Sequence, residues 1–72
     1  MEYQGWKNRQ TWNVALYLQN DEYLYKLAQR YRTYAPLLRA LQIRGITHTP
    51  DGVSYADKRL SRRELAAMLR DL

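Results

Sequence analysis

The chain contains no cysteine and a single histidine, His48, among its 72 residues, and this limits its fold more than anything else in the sequence. A domain of this size buries only about 60% of the surface its unfolded chain exposes. Small domains with thin cores usually add a disulfide or a metal. Neither is open to this chain, so stability must come from one apolar core, and one core implies one domain over residues 1–72. A core this small leaves Leu and Tyr surface wet, so pairing of two copies is a further expectation, because a homodimer would hide it.

The apolar residues recur at helical rather than strand spacing. Asn8 is placed to cap a first helix that carries Trp12, Ala15, Leu16 and Leu18. Asn20-Asp21-Glu22 supplies a second cap with acids in the first turn, followed by Leu24, Leu27, Ala28 and Tyr31 at i, i+3, i+4 and i+7. Pro36 suits the first turn of a third helix from about Ala35 to Arg44, with Leu37, Leu38, Ala40 and Leu41 on its apolar face and Gly45 as its stop. Between Ile46 and Lys58 the character changes, and Pro50-Asp51-Gly52 predicts a turn inside a loop or short hairpin. Ser61-Arg62-Arg63-Glu64 has the form of a capping box, with Leu60 and Leu65 spaced as a hydrophobic staple. A fourth helix is expected from Arg62 to the C-terminus through Leu65, Met68, Leu69 and Leu72. The expected fold is all-α or mainly α: a compact bundle of about four short helices.

Twelve Lys and Arg against seven Asp and Glu give a net charge of +5, which favours an acidic partner, either a protein face or nucleic acid. No apolar run reaches the roughly 18 residues of a membrane span, and residues 1–10 are too polar for a signal peptide. With the missing cysteines fitting a reducing compartment, the expectation is a cytoplasmic protein without membrane contact.

Catalysis finds little to work with. Nucleophilic chemistry needs a base beside the nucleophile, and the lone His48 in Thr47-His48-Thr49 reads as a solvated loop residue. Asp51 and Asp57 read as a turn former and a residue approaching a helix. No set of ligands has metal spacing, and Gly5, Gly45 and Gly52 are too scattered to cradle a phosphate. The chain is expected to be no enzyme and to hold no cofactor or metal.

Binding is better supplied. All aromatic residues are Tyr (seven) or Trp (two), with no Phe, so each ring carries a polar handle suited to a half-buried core or an interface. Through the middle of the chain these rings interleave with cations. Lys26, Arg30, Arg32, Tyr34, Arg39 and Arg44 are the candidate partner contacts, although the residues do not form one helical stripe. Tyr rings covering a small core under Arg stems would explain the same pattern. Lys58, Arg59, Arg62 and Arg63 gather at the mouth of the fourth helix, where backbone amides can receive an anion; they form a candidate phosphate site, against the simpler reading of a solvated basic face. A helix-turn-helix is disfavoured, since the third and fourth helices are too far apart in sequence.

The run Trp6-Lys7-Asn8-Arg9-Gln10-Thr11-Trp12-Asn13-Val14-Ala15-Leu16, with Asn20-Asp21-Glu22 after it, resembles a group of short uncharacterised proteins found in phages and some bacteria. Asp51-Gly52-Val53 and Glu64-Leu65 extend the likeness loosely along the chain. The resemblance transfers no activity. It implies a setting, an accessory protein of a phage or mobile element that binds and redirects a host macromolecule in the host cytoplasm. Within the motif Asn8 is expected to cap and Trp12 to anchor the core, whereas Asn13 has no packing explanation. The function expected from residues and resemblance together is a non-enzymatic protein that occludes or modulates a host protein with an acidic surface, the alternative being a small basic nucleic-acid-binding protein.

Overall fold

The computed structural model describes residues 2–72. Four helices follow one another along the chain: α1 (Arg9–Asn20), α2 (Glu22–Ala28), α3 (Tyr34–Ile43) and α4 (Arg62–Asp71). Among the described residues there is no strand, only two isolated bridges, Tyr3 with Trp6 and His48 with Ser54. The protein is mainly α-helical.

Local chemistry sets the helix ends. The Asn8 side chain accepts the Thr11 N–H at the start of α1. Asp21 ends α1 and begins α2 in one residue: its N–H donates to the Tyr17 carbonyl and its carboxylate accepts the Leu24 N–H. This joint turns α2 back against α1. α2 stops at Ala28, a turn earlier than the period running to Tyr31 suggests, because Arg30 and Tyr31 bond three residues back, to Leu27 and Ala28, and the chain tightens out of the α form. Tyr31 still packs half-buried against the core. α3 ends at Gly45 (φ +74°), where the Ile46 N–H reaches the Leu41 carbonyl and the Gly45 N–H reaches Gln42. These two bonds form a Schellman ending, which needs a left-handed residue at that point.

The predicted hairpin is present in rudimentary form. Gly52 N–H bonds to Thr49 C=O, Thr49 N–H to Val53 C=O and Tyr55 N–H to Thr47 C=O. Gly52, at φ +89°, supplies the left-handed position that closes a three-residue hairpin loop.

The core is contiguous, and Val14, Leu18, Leu37, Leu41 and Leu65 are fully buried within it. α1 packs on α2 and α4, and α3 packs on α4. Tyr34 and Tyr55 are its largest fully buried side chains. The Tyr34 hydroxyl donates to the Tyr55 carbonyl at 2.8 Å, so the polar end of that ring is satisfied inside the core. Trp12, expected as a core anchor, lies only half-buried and meets Tyr3 edge to face, with centroids 5.1 Å apart. Trp6 packs against the core instead.

Candidate partner-binding surface

The N-terminal motif is absorbed by the architecture. Asn8 Oδ1 accepts both the Thr11 N–H and the Thr11 hydroxyl, at 2.9 and 2.7 Å, while its Nδ2 donates to the Arg59 carbonyl at 2.7 Å. Thr11 Oγ1 in turn accepts the Ser61 N–H at 2.9 Å, and the Lys7 N–H donates to Glu64 Oε1 at 2.8 Å. These bonds clamp the start of α1 to the start of α4. They also alter the predicted capping box: Ser61 Oγ accepts the Glu64 N–H as expected, but the Glu64 carboxylate takes Lys7 instead of returning to Ser61. Thr11 serves Ser61 in its place.

Asn13 is fully buried and ties α1 to the hairpin. Its Nδ2 donates to Asp51 Oδ2 at 2.7 Å, and its Oδ1 accepts the Thr49 hydroxyl at 2.7 Å. Thr49 Oγ1 then accepts the Val53 N–H at 3.1 Å. Among the described residues no buried side-chain polar atom lacks a partner, which is the condition for such a group to sit inside a core.

At the mouth of α4 the four candidate anion ligands do not act together. Arg59 closes on Asp57 through both Nε and a terminal nitrogen, at 3.1 and 2.9 Å. This fork, with the Arg59 N–H, holds the Asp57 carboxyl below its usual range. The Arg62 guanidinium lies over the Tyr34 ring, 5.6 Å from its centroid, a cation–π arrangement. Lys58 and Arg63 are exposed. The depression here is lined by Lys7, Arg62 and Arg63 together with Glu2 and Glu64, and the two carboxylates oppose an incoming anion.

The central candidates separate in the same way. Tyr34 is 2% exposed, which removes it from any partner surface; its ring is core, and burial pushes its hydroxyl pKa well above the usual value. Lys26 pairs with Glu22 one helical turn back at 3.4 Å, both well exposed. Arg30 and Arg32 are exposed on the turn after α2. Arg39 and Arg44, by contrast, come together along α3 in an open groove of about 490 Å³ lined by Tyr31, Ala35, Pro36, Ala40 and Ile43. Arg44 is held in place: its Nε donates to the Tyr23 hydroxyl at 2.9 Å and a terminal nitrogen to the Ala40 carbonyl at 2.9 Å.

Ile43 is 77% exposed in this groove, and sequence reasoning passed over it. A signal existed, because Ile43 lies two residues past buried Leu41 and therefore about 200° round the helix, where a polar residue is the rule. In the sequence Tyr31 stands both in the apolar stripe predicted for α2 and among the rings that interleave with cations, and Pro36 stands as a helix starter.

No helix among the described residues is long and apolar enough to cross a membrane, and none of their His, Asp or Glu side chains gather in threes as metal ligands would. What fold and surface define is a small, mainly α-helical protein with a cation-edged apolar groove along α3. No curated protein and no solved structure matches it. The chain belongs to a family of unknown function, DUF7249, which it matches over residues 1–72.

Proposed function

We propose that the protein is a non-enzymatic binding protein whose α3 groove docks an acidic, partly apolar segment of a protein partner. The observation that carries this reading is Ile43, an isoleucine 77% exposed in a groove that Arg39, Arg44, Tyr31 and Pro36 also line. Leaving such a side chain in water gains nothing for the fold, while an apolar contact flanked by Arg is the composition of interface centres. Arg39 and Arg44 would pair with carboxylates on the partner. The resemblance to short phage and bacterial proteins supports placing this activity in an accessory protein of a phage or mobile element, acting on a host protein in the cytoplasm.

The test is affinity capture from host lysate with nuclease treatment, comparing the parent chain with Ile43→Asp and Arg39→Glu. The reading expects a protein retained by the parent after nuclease and lost by both variants. Capture unchanged by the variants would sink it. The alternative, nucleic-acid binding, draws on exposed Lys58 and Arg63 and on the net charge of +5, and it requires affinity that falls steeply with salt. Recovery of nucleic acid alone, sensitive to Lys58→Glu and Arg63→Glu, would put it first.

A further inference from the structure

A second depression, linked to the α3 groove by the Tyr23–Arg44 bond, has the opposite chemistry. It measures about 330 Å³ and is lined by Tyr17, Asp21, Tyr23, Leu24, Ile46, His48, Pro50 and Tyr55, at the small end of ligand-binding sites. In a chain of net charge +5 its lining among the described residues contains no Lys or Arg and one carboxylate, Asp21. Asp51 lies behind the lining and is linked to it through Tyr17, whose hydroxyl donates to Asp51 Oδ2 at 3.2 Å.

Neither carboxylate is used up. Asp21 caps α2 with Oδ1, and Asp51 receives both its bonds on Oδ2; among the described residues no donor reaches the other oxygen of either. Three tyrosine rings surround this charge, one of them, Tyr23, 55% exposed. Tyr55 forms the inner wall, its hydroxyl pKa pushed up to about 12 by burial first and then by the Asp21 and Tyr17 charges. Arg44 is bonded to the Tyr23 hydroxyl through Nε and, through a terminal nitrogen, to the Ala40 carbonyl of α3.

We propose that this depression receives one cationic side chain, an arginine guanidinium or a lysine ammonium, from the protein partner. Aromatic faces attract cations through their negative quadrupole, and nearby carboxylates add to the attraction. A leucine and isoleucine floor suits the apolar stem of such a side chain. The inference rests on the partner-binding reading and sharpens it. A segment occupying both depressions would set acidic residues against Arg39 and Arg44 in one and a single basic residue among the tyrosines in the other.

The pocket can be tested without the partner. The full chain, isotopically labelled, is titrated with N-acetyl-arginine-amide and N-acetyl-lysine-amide, with N-acetyl-glutamine-amide as the neutral control, and followed by NMR. The proposal expects saturable shifts at Tyr17, Tyr23, Leu24 and His48 with at least one cationic probe and none with the neutral one. Asp21→Asn keeps an N-cap acceptor of similar quality, so α2 should persist while affinity falls at least threefold, and Tyr23→Ala, at an exposed position, should weaken binding similarly. Shifts that fail to saturate, that scatter over Glu2, Glu22 and Asp71, or that survive both substitutions undiminished would overturn it. The parent and Asp21→Asn titrations do not bear on the α3 groove, which Ile43→Asp tests separately.

Discussion

Asn13→Ala should be among the most damaging substitutions that remove so few atoms. Asn13 is fully buried and makes two side-chain bonds of 2.7 Å, one to the Asp51 carboxylate and one from the Thr49 hydroxyl. Asp51 is exposed and can return to water, so losing its bond costs about 1 kcal/mol. Thr49 is 4% exposed and cannot, so its orphaned hydroxyl costs a further ~1–3 kcal/mol. Together these put the loss near 3 kcal/mol, a large share of the roughly 4–11 kcal/mol expected for a domain of this length. At ~4–8 °C per kcal/mol the melting temperature should fall by about 12–24 °C. The assay is a thermal melt followed by circular dichroism, with Asp51→Asn as control. That control keeps an acceptor in place and should cost under ~1 kcal/mol. A fall of less than about 4 °C for Asn13→Ala would show that the network does not stabilise the hairpin on α1.

Thr11→Val keeps the side-chain shape but removes the hydroxyl that accepts Ser61 N–H and donates to Asn8. It should cost about 2 kcal/mol in a urea melt, and Thr11→Ser, which restores the hydroxyl, should cost clearly less. Loss of the same stability in both variants would place the effect in packing. The two core tyrosines make the fold sensitive to alkali. Tyr34 and Tyr55 both hold their protons more tightly folded than unfolded, chiefly through burial, so the unfolded chain ionises first. Stability is then fully present below the unfolded value of about 10 and declines as pH rises towards about 12, by up to ~1.4 kcal/mol per pH unit for each ring. Melts from pH 8 to 11.5 should show this fall, and Tyr34→Phe should make it shallower. A melting temperature constant across that range would contradict the burial of both rings.

The helices were legible because their signals are local: Asn8, Asp21 and Ser61 as caps, Gly45 as a stop, and apolar residues at helical spacing. The mainly α architecture followed from these. Signals that depend on distant partners were not legible. Glu64 looks like half of a reciprocal box because Ser61 is three residues away, yet the bond it makes is to Lys7, 57 residues back along the chain. Asn13 resists explanation by its neighbours since its partners, Thr49 and Asp51, lie on the hairpin. Tyr34 misled in the other direction. It stands in a run of cations, as a contact residue would, and only the carbonyl of Tyr55 beside it allows so polar a ring into the core. Along the α3 groove, charge alone singles out Arg39 and Arg44. Ile43 was passed over because attention to the apolar face of a helix discards what lies opposite.

The clamp between α1 and α4 also bears on how the chain reaches its fold. Ser61 and Thr11 are 50 residues apart, and Arg59 and Asn8 are 51 apart, so the bonds that complete the first helix wait on the last. The caps at Asn8 and Asp21 can begin α1 and α2 as each emerges from the ribosome, but those helices remain marginal until α4 closes over them. The four helices therefore gain their stability in one cooperative step, and a fragment ending before Arg59 would hold α1 and α2 only as fraying helices.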